Sequence, residues 1–330
     1  MKNYKIAVLA GDGIGPEITQ EAIKVLKLIE ERNDVSFELM PAAFGACAYF
    51  EFGDAFPQST IDICDQADAI LKGTIGLSHE ESKKIPIDKQ PERGALLPLR
   101  RRYNTYANFR PVSLPKALAH FSPLKPEIIG EGIDIIMVRE LVGGLYFGHK
   151  EMGINEQGLR YVKETLEYDE LQISRILHQA FKLARKRKKL LHNIHKSNVL
   201  KSSVLWNEIL DEVAVGYPDV EVIHQLVDSA ATNLCLKPTQ FDVMVMENMF
   251  GDIGKNIANP YSMIGSVAMM LENSFDMAEE AKNVWAAMQG VFGDGYSTAD
   301  LSKPGSGVVM INTVEFGDKV VEKLRQMPKV

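Results

Sequence analysis

The sequence predicts an α/β protein of two domains, and not a Rossmann fold. Three observations carry this. Short apolar runs rich in β-branched residues alternate with stretches whose apolar residues recur at helical spacing. A chain of 330 residues is too long for one ordinary core. The glycine turn after the first strand, GDGIGPE, puts Pro16 and Glu17 where a dinucleotide fingerprint needs its third glycine, and an acid at a helix start repels pyrophosphate. That turn reads either as a close approach to a ligand or as a purely structural turn.

In order, Lys5–Ala10 is a buried-type strand, and Pro16, suited to the first helical position, opens a helix. Strands are expected at 35–40 and 68–74, with a helix over Gln58–Asp65 between them. Within residues 92–111, ERGALLPLRRRYNTYANFRP, Leu96, Leu97 and Leu99 read as a helix face packed on a core. Asn104 marks a turn there, and Ala107–Arg110 starts a strand. Ile133–Val138 is the next strand. Leu159–Leu166 alternates apolar and polar and stands outside the strand–helix rhythm, which predicts an arm. From Asp169, a helix carries Ile173, Ile176, Leu177, Ala180, Phe181 and Ala184 on one face. Strands at 189–195, 220–226 and Phe241–Glu247, with helices at 200–214 and near 261–272, 276–290 and 312–325, complete the pattern.

Composition narrows the function. With 45% hydrophobic and 25% charged residues the chain reads as soluble and globular. A net charge of -7 gives no global field for nucleic acid or an anionic membrane. The one dense basic run, RKRKK at 185–189, reads as a solvated helix end favoured by the dipole. Cys47, Cys64 and Cys235 form no CxxC pair, which suits a reducing cytoplasm. The amino-terminal apolar run is too short for a signal peptide, and no stretch approaches membrane-spanning length.

Several residues carry chemistry. Arg100 and Arg110 close the two ends of a helix–turn–strand unit, and Arg139 lies in IDIIMVREL. Guanidinium forks pair bidentately with carboxylates, so arginines aimed into one cleft suit a small di-acid. Arg101 and Arg102 read as a solvated helix end. Lys196, at the end of an apolar strand, reads as a desolvated base or as an exposed strand-end lysine. Tyr146, after two glycines, reads as a proton donor or as core packing. Asp228 and Asp252 each follow a β-rich run, where ligands gather in open sheets. Their hard oxygens suit magnesium or manganese, and helix N-caps are the other reading. His192 and His195, three apart in a strand, point to opposite faces and offer no rival zinc site.

The motifs GDGIGPE, QPERGALLPLR, YANFRP, VRELVGGLYFG, HKSNVL, YPDVEV, ENMFGDI and GKNIANP occur in the order and spacing of the isocitrate/isopropylmalate β-decarboxylating dehydrogenases. The chain resembles that family over nearly its whole length, and GGLYFG resembles its isopropylmalate branch. The resemblance implies NAD- and divalent-metal-dependent oxidative decarboxylation of 3-isopropylmalate, a 2-hydroxy di-acid, in leucine biosynthesis. It implies a two-domain α/β fold with open mixed sheets, not a Rossmann fold, and a homodimer with shared active sites. The first domain would be 1–105 plus 259–330, and the second 106–258, with the dimer contact and an arm near 155–168. Arg100, Arg110 and Arg139 match the carboxylate-binding arginines, Tyr146 the acid, and Lys196 the base. Asp228 matches a substrate and metal contact and Asp252 a metal ligand, with Lys196 and Asp228 entering the partner's site. Ile14, Glu92 and Asn259 match cofactor positions, and Leu96 and Leu97 would face the isopropyl group.

The chain departs from the pattern after Ile253, where Gly254 follows directly and roughly 35 to 40 residues of the family pattern are absent. The absent part would include a further metal-binding aspartate, for which Asn256 offers only a carbonyl oxygen, and the loop holding the adenosine. His195 and Ser229 stand where aspartate and asparagine are usual. The alternative expectation is therefore a loop-deleted member that keeps fold and dimer but is catalytically impaired.

Overall fold

The computed structural model describes residues 2–116, 119, 122, 124–252, 260–298, 301 and 307–329. The chain divides into two units, Met1–Leu99 with Ile257–Val330, and Arg100–Asn256.

The first unit holds a parallel sheet of β1 (Lys2–Leu9), β2 (Val35–Pro41) and β3 (Ala69–Lys72), in the order β2-β1-β3. The central strand β1 is buried without interruption from Ile6 to Leu9, as a parallel strand covered on both faces must be. Helix Gly15–Arg32 carries Pro16 in its first turn and buries Ile18, Ala22, Val25, Leu26 and Ile29 at helical spacing. In the turn between them, Asp12 accepts hydrogen bonds from the backbone N–H groups of Ala46 (2.9 Å), Cys47 (2.8 Å) and Gly76 (3.1 Å). Asp12 thereby ties the turn to the start of helix Ala46–Phe52 and to the segment after β3. A Cβ on Gly11, at φ +78, would lie 1.9 Å from the Thr74 carbonyl oxygen, so only glycine fits. Helices Gln58–Asp65, Pro260–Ser274, Ala278–Gly293 and Thr313–Gln326 complete this unit's main elements.

The second unit is built on β4 (Ala107–Pro115), β5 (Gly132–Glu140), β6 (Lys150–Ile154), β7 (Arg160–Glu164), β8 (Leu190–His195), β9 (Glu221–Leu226) and β10 (Val243–Met246). Five of these form a mixed sheet, β4-β5-β10-β8-β9, with β4 antiparallel to β5 and the rest parallel. Strand β10 is buried on both faces. Val243 and Val245 pack with helices Glu170–Arg185 and Lys201–Ala214, while Met244 and Met246 pack with Ile135, Met137 and Phe241. Each such side chain contributes about 1.5–3 kcal/mol. Asp169 and Gln172 form a reciprocal capping box at the start of Glu170–Arg185, worth about 1 kcal/mol. At the other end of this helix the basic run is held locally, Arg185 and Lys189 by Asp219 and Arg187 by Asp134 and Asp242.

Three expectations need correction. The first division falls at 99/100 within helix Leu97–Arg102 and not at 105/106. Thr105 N–H donates to Arg100 O (3.1 Å) and Leu141 N–H to Tyr106 O (2.9 Å), which ties residues 100–106 to β4 and β5. The boundary expected at 258/259 lies outside the described residues. The arm is an exposed antiparallel hairpin of β6 and β7, from Lys150↔Glu164 to Ile154↔Arg160, so it begins before 155 and its paired strands end before 168. Strand β6, KEMGI, lacks the alternation that betrays β7. Of the expected helix face, only Leu99 is fully buried. Leu96 ends a π-helix, Pro91–Leu96, and Leu97 starts the α-helix, both half-buried.

Candidate active site

The parallel register brings chemistry to one edge of the second sheet. Arg139 pairs with Met246, Ile194 with Met246, and His195 with Leu226. The residues just past these strand ends are therefore Tyr146 and its turn, Asn248–Asp252, Lys196 and Asp228. Antiparallel β4 sets Asn108 opposite Arg139 and Arg110 opposite Met137. Ligands of open α/β sheets gather at such carboxyl ends.

Arg139 continues the parity of Ile133, Ile135 and Met137, which buries its side chain to 2% exposure. Its Nε and Nη2 donate to Asn248 Oδ1 (3.0 and 2.8 Å), and Nη1 and Nη2 to the two Asp252 oxygens (2.5 and 3.1 Å). A Cβ on Gly251 would lie 2.3 Å from Arg139 Cδ, so the chain passes the stem only as glycine. Arg110 donates from Nε to Asn108 Oδ1 (2.6 Å) and from Nη1 to Gly251 O, with Nη1 3.7 Å from Asp252 Oδ1. Arg100 joins them electrostatically. Burial, then Arg139 and Arg110, pull its guanidinium down to about 10, against the opposing pull of Asp252. Burial and Arg139 likewise lower Arg110. A guanidinium at about 10 is still protonated at neutral pH. Three cations thus share one carboxylate, and Arg100's side chain has no hydrogen-bond partner among the described residues. The excess positive charge suits an anion.

Tyr146 lies in the 3-10 turn Gly144–Tyr146, with its ring centroid 5.7 Å from Arg139 Cζ. Its hydroxyl donates to Asp252 Oδ2 at 2.6 Å. That hydrogen bond, then burial and the Asp252 charge, push the phenol up, while Arg139 and Arg110 oppose them. The group is held protonated beside the arginines, as a proton donor needs to be.

Lys196 and Asp228 pair with each other, Nζ to Oδ1 at 3.1 Å. Ser203 Oγ accepts the Lys196 backbone N–H (3.0 Å) and fixes the chain after β8. The Lys196 hydrogen bond lowers Asp228. Asp228 sits in the first turn of helix Val227–Leu236 and Leu226 is the N-cap, so the cap reading fails for Asp228. Asp252 has Arg139 and Tyr146 as partners.

Among the described residues no three His, Cys, Asp or Glu side chains come together to hold a metal ion. On the first unit, Ile14 is exposed at the start of helix Gly15–Arg32, and Glu92 is exposed in the first turn of Pro91–Leu96. Asn259 and Asn256 lie outside the described residues.

Sequence reasoning missed Asn248, Glu140 and Tyr168. Glu140 accepts the N–H groups of Val142 (3.2 Å) and Gly143 (2.8 Å) and faces Arg175 at 3.5 Å. A signal existed for Glu140: a carboxylate in so apolar a run as IDIIMVREL has to be partnered.

The family described as isocitrate/isopropylmalate dehydrogenase matches residues 5–254 and 253–320. A protein of Thermotoga maritima named 3-isopropylmalate dehydrogenase is 40% identical over 360 positions, covering 98% of this chain and 99% of that one. One of the same name from Aquifex aeolicus is 39% identical, covering 99% of each. A crystal structure of isocitrate dehydrogenase from Methylococcus capsulatus superposes with a TM-score of 0.80 at 27% identity, covering 98% of this chain and 100% of that chain. The Thermotoga alignment is longer than the 330 residues here, and the family match divides at Ile253–Gly254. The fold, the edge of the second sheet and these matches agree: the chain belongs to the isocitrate/isopropylmalate dehydrogenase family.

Proposed function

We propose that this chain oxidises and decarboxylates 3-isopropylmalate in leucine biosynthesis, as a cytoplasmic homodimer dependent on NAD and on Mg2+ or Mn2+. The observation that supports it most is the cluster of Arg100, Arg110 and Arg139 around Asp252, which among the described residues is the one carboxylate paired with them and leaves charge for a dianion. Relatives about 40% identical bear the name of that enzyme.

When bound, the cofactor would accept hydride from the hydroxyl-bearing carbon and the ion would act as a Lewis acid at the hydroxyl oxygen. Lys196 would take the hydroxyl proton. The bond to the departing carboxylate would then break, carbon dioxide leaving with its oxygens while the bonding pair becomes the carbon–carbon double bond of an enolate. Tyr146 would give a proton to carbon, and the arginines would hold both carboxylates until decarboxylation and the retained one after it. The hard oxygens of Asp252, with Asp228 from a second copy, fit a divalent ion in kind, and the remaining ligands would come from substrate and water. Exposed Ile14 and Glu92 offer an apolar edge and a hydrogen-bond acceptor, which fit a ring or hydroxyl of the cofactor and not its phosphates. Asn259 is assigned with them by family likeness.

The test is NADH formation with Mg2+ or Mn2+ and saturating 3-isopropylmalate, isocitrate or malate. Turnover in the range of about 1 to 1,000 per second on 3-isopropylmalate is expected, with the other two far slower. Preference for isocitrate would overturn the reading. While the named relatives support the first reading, the residues absent after Ile253, where the family match divides, motivate a second, in which fold and assembly persist without turnover. Calorimetric binding of 3-isopropylmalate with no NADH formed would decide for it.

A further inference from the structure

Asn248, in the turn after β10, is fully buried and every polar group of its side chain is engaged. Oδ1 accepts two hydrogen bonds from the Arg139 fork (3.0 and 2.8 Å), and Nδ2 donates to Gly143 O (2.9 Å). The partners fix the amide's orientation, because a guanidinium only donates and a carbonyl only accepts. The backbone N–H of Asn248 donates to Tyr168 Oη (2.9 Å). The same tyrosine packs under the double glycine: a Cβ on Gly143 would meet Tyr168 Cε1 at 2.7 Å, and one on Gly144 would meet its hydroxyl at 2.4 Å. With Gly143 N–H held by Glu140, the peptide groups on both sides of Gly143 are fixed. Arg139 stands at the end of β5 and Tyr146 in the next turn, and one amide bridges the fork of the first to the backbone of the second.

We infer that Asn248 is a positioning residue for the proposed reaction: it sets the plane of the Arg139 fork and the place of the Tyr146 turn relative to it. Aspartate, nearly the same in volume, fails on both counts. Its second oxygen would face the Gly143 carbonyl, and its charge would neutralise Arg139. The inference rests on the proposed function, yet malonate, a minimal dicarboxylate, probes the arginine cluster independently of it.

Calorimetric titration of malonate and 3-isopropylmalate into the whole chain, Asn248→Ala, Arg139→Lys and the double variant tests it. Asn248→Ala is expected to weaken malonate about tenfold or more, but less than about twofold once Arg139 is Lys, since a lysine has no fork to orient. If the chain turns over, Asn248→Ala should also lower kcat, and less so in a Tyr146→Phe background. Equal loss in both backgrounds, or no loss, overturns the role, because a merely structural residue would act additively. Where Asn248→Ala does not fold, Asn248→Asp replaces it, with weakened malonate binding expected and unchanged binding fatal. If the unaltered chain binds malonate but not 3-isopropylmalate, the functional reading falls while the malonate series still decides for or against Asn248.

Discussion

Two carboxylates stand past parallel strands of one sheet, each against a cation, and they differ in how water treats them. Asp252, 27% exposed, holds the buried Arg139 through both oxygens and accepts the Tyr146 hydroxyl. Asp228, 65% exposed, holds Lys196 at 3.1 Å. In the first pair, removing one partner leaves the other charge desolvated. In the second, solvent screens what is left. The first ion pair belongs to the fold as much as to the site, and the second can serve chemistry alone.

Lys196→Met separates the two most sharply. Turnover should fall by roughly 10²- to 10⁴-fold, the usual share of a general base, while the thermal unfolding midpoint stays where it was. A midpoint that drops with turnover would mean the exposed pair holds the fold, and the contrast with Asp252 would collapse. Asp252→Ala should do the reverse first, destabilising the chain by about 3–5 kcal/mol by stranding Arg139. Malonate should then raise the unfolding midpoint of this variant more than that of the unaltered chain, since the anion replaces the lost carboxylate and binds only the folded state. An unchanged midpoint for Asp252→Ala would show that Arg139 does not depend on it.

The same contrast explains what the sequence made legible. Strand ends announce themselves through apolar runs that stop, so Arg139, Lys196, Asp228 and Asp252 could all be placed at the carboxyl edge of a sheet before any partner was known. The partners could not. Arg139 and Asp252 are 113 residues apart and meet only because β5 and β10 are neighbours in a particular register, which no local pattern encodes. For that reason Asp252 read as a metal ligand or a cap and not as an arginine's counterion. Asn248 was hidden for a similar reason, since an amide in ENMFGDI is unremarkable until both of its ends are engaged. The first arm strand was missed because KEMGI carries no alternation of apolar and polar residues, whereas β7, equally exposed, does.

A third carboxylate, Glu247, extends the comparison to a group buried with no cation as its main partner, and it gives the smallest expected effect. Burial first, and the neighbouring charge of Glu140 second, raise Glu247 to about 7, and its Oε1 has no hydrogen-bond partner among the described residues. Glu140, which receives two backbone N–H groups and faces Arg175, is the better supported anion of the two, so a proton is held more readily on Glu247. The ordinary value is 4.5. Between about 4.5 and about 7 the folded chain binds more protons than the unfolded one, so this group makes stability fall as pH rises through that window. The loss is complete above it and of order 3 kcal/mol at most. Glu247→Gln keeps the neutral shape and removes the titration. Its unfolding midpoint should match that of the unaltered chain near pH 4, below both values, and exceed it at pH 8. Parallel pH profiles for the two proteins would mean that Glu247 is already ionised in the folded state, with a counter-charge that offsets its burial.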